Sequence, residues 1–175
     1  ITEGNFSAQI SSGWTWNDLR NINYFIQNCN DPRVPVAVRN NYLGIAKFFR
    51  AWFYFDKVKR FGDVPWIGKP LDVTDTELLF KGRDPRTMVM DSVLADLDFA
   101  CQNIITGSEP SRSLVTKYVA YAFKARVALH EGTFRKYHTN LGLQATASGL
   151  LNQAAVAAKK VMDESGYKLY DGAGI

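Results

Sequence analysis

Apolar positions along the chain recur every three to four residues and almost never alternate, so the pattern predicts helices rather than strands. Five helical segments follow. The first runs from Trp16 or Asn17 to about Cys29, with Leu19, Ile22, Asn23 and Ile26 on one face. Asp31-Pro32 and Pro35 break it. The second, the longest, runs from Pro35 or Val36 to Arg60. Tyr42, Ile45, Ala46, Phe49, Trp52 and Phe53 keep helical spacing along it, and Phe48 and Phe55 widen the apolar surface. A helix so broadly apolar is expected to be nearly surrounded by neighbours. Phe49, Trp52 and Phe53 in solvent would count against that picture. Gly62 stands where a C-terminal cap belongs, and Pro65 prevents resumption.

After a connection over 63–83 the third helix is expected to start with Asp84 as N-cap and Pro85 at its first position. Met90, Val93, Leu94, Leu97, Ala100, Cys101 and Ile104 make its stripe, with Asp91, Asp96 and Asp98 mostly off it. Ser113 is the expected cap of the fourth helix, whose inner face reads as Tyr118, Tyr121, Ala122, Ala125 and Leu129 and whose end is placed at Glu131-Gly132. The fifth spans Ser148 to Ser165 on Leu151, Ala154, Ala155, Ala158 and Met162, and residues 167–170 read as a short extended exit. Ala122 and Ala155, like Ala125 and Ala158, are separated by close to the tetratricopeptide period of about 34 residues. The fold class expected is all-α, built from stacked antiparallel helix pairs.

Composition adds few functional classes and removes several. With 175 residues, 46% of them hydrophobic, the chain can bury a core. The net charge of +4 is spread along the sequence with acids among the bases, so no nucleic-acid partner is expected. Cys29 and Cys101 form no CxxC pair; a disulfide between them stays open. No apolar run reaches the roughly 18–20 residues of a membrane span. His130 and His138 lack metal-binding spacing, and no GxSxG, P-loop or GxGxxG motif occurs. No metal, no cofactor and no catalytic residue is expected. The chain opens on Ile1-Thr2-Glu3 and stops on Gly174-Ile175, which reads as part of a longer protein.

The segment Ala46-Lys47-Phe48-Phe49-Arg50-Ala51-Trp52-Phe53-Tyr54-Phe55-Asp56, followed by Phe61-Gly62-Asp63-Val64-Pro65, resembles the signature of the SusD-like (RagB/SusD) family, "A-x-F-x-R-A-x-x-Y-F" and then "F-G-D-V-P". Trp16-Asn17-Asp18-Leu19-Arg20 is similar to the family's first paired helix. Asp96-Leu97-Asp98-Phe99-Ala100 is similar to its "DLD-x-A" helix, and Ala122 to Leu129 to its "ALKARVxL" helix. Leu151 to Tyr170 resembles the helix and exit that follow. The resemblance implies that residues 1–175 are the helical scaffold portion of a tetratricopeptide-like α-α superhelix, with a lipid-bearing N-terminus and a second half outside it. It further implies a lipid-anchored protein on the outer surface of the outer membrane. Such a protein binds an oligosaccharide, or in some members a peptide, and serves a SusC-like TonB-dependent transporter. A helical-repeat module for protein partners is the other class.

Within the chain, Trp14 and Trp16 precede a helix in a Gly/Ser-containing stretch. An exposed indole stacks on the C–H face of a sugar, and Asn17 or Arg20 could bond its hydroxyls; Trp66, after a turn, is a further ligand-binding candidate. The competing expectation is that the Trp side chains anchor the loop to the core. FGDVP reads as helix termination. Arg50 and Arg126 lie on apolar helices and need partners, with Asp56, Asp96 and Asp98 available to them.

Overall fold

A computed structural model describes residues 7, 10–111, 113–169 and 172. It contains helices α1 (Asn17–Asn28), α2 (Val36–Phe61), α3 (Thr76–Leu79), α4 (Arg86–Asn103), α5 (Lys117–Tyr137) and α6 (Ala147–Glu164), with 3-10 turns at Thr139–Leu141 and Gln144–Thr146. Among the described residues the only β-type pairing is one isolated bridge, Val64 with Asp84. The all-α expectation holds. The chain divides into two compact units, residues 1–103 and 104–175.

In the first unit α2 is the axis. The beginning of α1 meets the last third of α2, where Trp16 packs on Phe53 and Tyr54. The end of α1 meets the start of α2, where Cys29 Sγ lies 3.9 Å from the Arg39 carbonyl. The two helices are therefore antiparallel. So are α2 and α4: the Asp63 turn at the end of α2 touches Arg86, and Lys47 reaches Asp96. The buried stripe of α2 is Asn41, Gly44, Phe48, Ala51, Phe55 and Val58, with Arg50, Tyr54 and Lys57 beside it. Steps of three and four residues put the stripe on one face of a 3.6-residue helix.

That stripe corrects the expected one. Tyr42, Phe49 and Trp52 lie about one residue round the helix, and Phe49 and Trp52 are 46% and 52% exposed. Phe53 is half-buried. Both faces of α2 are apolar, and the first unit covers only one. Periodicity shows that a face is apolar and cannot show which of two apolar faces finds a partner.

The α4 stripe is as expected, but Asp96 joins it at 3% exposure. Its carboxylate receives Arg50 in two bonds, Nε to Oδ2 at 2.6 Å and Nη2 to Oδ1 at 2.9 Å, and Lys47 at 3.1 Å. Arg50 Nη1 donates to Asn23 Oδ1 at 3.1 Å and to the Gly68 carbonyl at 3.3 Å. The Asn23 amide donates to the carbonyls of Ile67 and Lys69. One guanidinium thus ties together α1, α2, α4 and the connection after α2. Burying it is tolerable because its fork is matched by a carboxylate and further acceptors.

Asp84 does not cap α4. It is drawn into the Val64 bridge, and its carboxylate takes the Trp66 N–H at 2.7 Å and Lys81 at 2.6 Å. Asp63, from the FGDVP turn, accepts the Arg86 N–H at 2.8 Å instead. Gly62 adopts φ of 70°, which lets α2 stop and swing Asp63 into that position. The segment therefore terminates one helix and caps another.

In the second unit α5 and α6 pack antiparallel: Tyr118 Oη donates to the Glu164 carbonyl at 2.6 Å, and Arg135 Nη1 to Thr146 Oγ1 at 3.1 Å. Thr116, not Ser113, caps α5, accepting the Val119 N–H. Ser113 is held in a turn by Glu109 and by the Ser111 hydroxyl. Nor does α5 end at Gly132. A Cβ there would stand 2.9 Å from the Leu151 side chain and 3.1 Å from its backbone nitrogen, so glycine is the close-approach point of the pair. Across the next turn Glu131 and Arg135 form a buried pair at 2.9 Å that carries the helix on to Tyr137. The buried α5 face is Tyr118, Ala120, Phe123, Val127, Ala128, Glu131, Gly132 and Arg135. Ala122 and Leu129 face solvent, correcting the expected stripe, and Arg126, expected to lie on an apolar helix in need of a partner, is exposed as well. On α6 the core is Ala147, Leu150, Ala154 and Ala157, while Met162 is exposed. Residues 167–169 are irregular, not extended strand, and Tyr170 lies outside the described residues. Cys29 and Cys101 are free thiols.

Candidate functional site

The loop before α1 is held against the end of α2. Buried Lys57 donates to the Gly13 carbonyl, and the Arg60 guanidinium lies where a Gly13 side chain would project. Trp14 stands edge-on to Trp16 (5.1 Å) and to Phe61 (4.9 Å), beneath the Arg83 guanidinium. Trp16 leans on Phe53 at 5.6 Å and lies within 5.9 Å of the Lys57 amine. Both indoles are half-buried. They anchor the loop and still present part of their surface, which edge-to-face packing permits.

Three of the five candidates meet. Trp16, Asn17 and Arg20 line a depression of about 200 Å³ with Leu19, Asn23, Ile67, Lys69 and Leu71. Asn17 and Arg20 are exposed at its rim. Trp14 is turned away toward Phe61 and Arg83 and is not part of it. Trp66 is not part of it either. Its ring lies on Tyr54 (centroids 4.3 Å apart) with Arg50 above it at 5.2 Å, so it works in the packing behind the depression.

The support behind the depression is polar and satisfied. Tyr54 Oη accepts the Ile67 N–H at 2.7 Å and lies 3.3 Å from the Ile67 carbonyl. Burial pushes the Tyr54 phenol well above the usual tyrosine range, so it remains a neutral donor and acceptor. Burial also lowers the Lys57 pKa, opposed by Asp56 and Asp18. Ile67 and Lys69 are fixed through Asn23 and Tyr54, and with them the far wall.

A SusD-like protein of Formosa agariphila is 30% identical over 142 residues, 78% of this chain and 27% of the relative. A SusD-like protein of Bacteroides fragilis of known structure superposes with a TM-score of 0.68 at 27% identity, over 88% of this chain and 26% of that one. The chain is SusD-like. A laminarin-binding SusD-like protein shares the fold, with a TM-score of 0.72 at 22% identity over 91% of this chain and 32% of that one. No family model matches. The SusD-like chain spans about a quarter of the length of the curated relatives it matches.

In the first unit of this SusD-like chain, a surface feature larger than the depression is one that sequence reasoning took for core. Ile22 and Phe25 of α1, with Tyr42, Ile45, Phe49 and Trp52 of α2, line an open groove of about 590 Å³. A second hollow of about 390 Å³ continues it past Phe25 and Tyr42 to Val34 and Val38. The signal was present in the two apolar faces of α2, but nothing in the spacing tells an apolar groove from an apolar core. Among the described residues no group of three or more His, Cys, Asp or Glu is placed to hold a metal. No helix among them is long and apolar enough to cross a membrane.

Proposed function

We propose that this chain is the helical scaffold portion of a surface glycan-binding protein. In this reading the protein is lipid-anchored at the outer face of the outer membrane and delivers oligosaccharide to a SusC-like TonB-dependent transporter. The observation that carries the reading is the depression in which Trp16 offers part of an indole face while Asn17 and Arg20 stand exposed at the rim. An aromatic platform flanked by amide and guanidinium groups suits a sugar ring, whose C–H face is apolar and whose edge is hydroxylated. Solved structures sharing the fold support the saccharide class, since one is described as laminarin-binding and another carries a xylogluco-oligosaccharide. The chemistry required is binding and release, with no bond broken.

Affinity electrophoresis through gels containing laminarin or xyloglucan tests this directly. Retardation of the wild-type chain that falls about tenfold in affinity in Trp16→Ala and Arg20→Ala is the expected result, each change removing a stack or a charged hydrogen bond. Migration unchanged across the glycan panel would remove the saccharide reading. The apolar groove favours a second reading, a surface for a protein partner or an apolar peptide, because its lining is almost without polar groups. Co-purification of a soluble protein partner, lost in Phe49→Glu, would speak for that use, whereas a large barrel protein from detergent-solubilised outer membranes would speak for the first reading.

A further inference from the structure

Beside the Trp16 depression, and sharing no residue with it, lies a pocket of about 300 Å³ lined by Ser12, Gly13, Thr15, Asp18, Trp52, Phe53, Asp56, Lys57 and Arg60. Its character differs from the groove, the depression and the hollow beside Val34, because most of its wall is polar. Lys57 forms a fixed floor. It is 5% exposed, held by the Gly13 carbonyl, and stacked 4.6 Å over Phe53. Asp18, Asp56 and Arg60 all lie close enough to change its proton affinity. Asp56 has an exposed carboxylate, bonded only loosely to Lys59 at 3.5 Å. At the mouth, the half-exposed indole of Trp52 supplies an apolar wall.

We propose that this pocket is a second subsite, taking one neutral pyranose ring of a saccharide. The inference rests on the glycan reading above and deepens it. Two carboxylates and two cations cancel, so the pocket does not select an ionic ligand. They instead set acceptors beside donors at short range, which is what a pair of neighbouring hydroxyls needs: each hydroxyl gives its hydrogen to Asp18 or Asp56 and accepts from Arg60 or the Thr15 hydroxyl. Trp52 meets the C–H face. The volume stands at the lower end of small-molecule pockets, roughly 300–1,000 Å³, room for one ring rather than a chain. The groove shares Asp18, Trp52 and Phe53 with the pocket, which leaves it open on its apolar side.

The test is an amide and indole NMR titration of the ¹⁵N-labelled chain with glucose, galactose and mannose, beside the laminarin and xyloglucan gels. Expected are shifts of the Trp52 indole N–H and of the Thr15 and Asp18 amides, with affinity reduced about tenfold in Asp56→Asn and in Arg60→Gln. Melting temperature serves as the check that both variants fold. Lys59→Gln frees Asp56 and should tighten binding; unchanged binding in it together with unchanged binding in Asp56→Asn would overturn the subsite even should Arg60→Gln fail to fold. Shifts confined to Trp16, Asn17, Arg20 and Lys69 would overturn the second subsite and leave the glycan reading standing. Neither shifts nor gel retardation with any sugar would overturn both.

Discussion

At the scale of single residues, one buried cation and one carboxylate of a surface turn carry most of the specific chemistry. Arg50 is the first. Its guanidinium satisfies Asp96 and bridges to Asn23 and Gly68. Arg50→Ala should cost about 3 kcal/mol in urea unfolding, since it removes both bidentate bonds and leaves the buried Asp96 carboxylate to Lys47 alone. The paired change Arg50→Met with Asp96→Leu should recover most of that loss, because two charges leave together. Glu109 is the carboxylate. The Ser111 hydroxyl, then the N–H groups of Ser113, Ser111 and Leu114, hold its pKa down to about 2 from 4.5. A carboxyl whose pKa falls on folding supports the folded turn above the unfolded value. That support is lost as pH falls from near 4.5 toward about 2. A ¹³C titration of the Glu109 carboxyl should therefore show its midpoint near the lower figure, and Ser111→Ala should move it up. Arg50's need for a partner was legible in the sequence, since charge on an apolar helix demands one. The Glu109 turn was not, because apart from the Ser111 hydroxyl its bonds run to backbone groups that carry no sequence signature.

At the scale of elements, helix ends show where local rules stop. Asp84-Pro85 has the sequence of an N-cap, yet the cap of α4 comes from Asp63, 23 residues upstream, by way of the Gly62 turn. Asp63→Ala should therefore destabilise the chain by about 1 kcal/mol, the usual cost of a lost cap. Asp84→Ala should act differently, by freeing Trp66 and Lys81. Circular-dichroism melts of the two variants, with amide exchange at Arg86 as the local readout, separate these effects. Gly132 makes the same point for helix interiors. Glycine in mid-helix costs about 1 kcal/mol relative to alanine, so propensity alone favours Gly132→Ala. The close approach to Leu151 opposes it, and Gly132→Val, which adds still more volume, should lose about 1–3 kcal/mol. In a double-mutant cycle Leu151→Ala should relieve part of that loss, and strict additivity would show that the two do not touch.

At the scale of the whole molecule, the decisive fact is that α2 has two apolar faces and the first unit uses one. Phe48→Ala should cost about 3–5 kcal/mol as a core truncation, whereas Phe49→Ser, one residue along, should stay within roughly 1 kcal/mol. Equal losses in denaturant melts would mean that the groove is closed in solution. Five of the six helices with their order and approximate limits, the C-terminal stop at Gly62, the all-α class and the family likeness came from the spacing and identity of side chains along the chain, whereas the short α3 lies in the stretch read as a connection. These are local properties, decided within a turn or two of helix. Tertiary structure alone decided which apolar face is buried, which aspartate caps which helix, and that Trp16, Asn17 and Arg20 converge while Trp14 and Trp66 do not. Each of those outcomes depends on which helix lies against which, and a linear pattern can state only that a face wants covering, not what arrives to cover it.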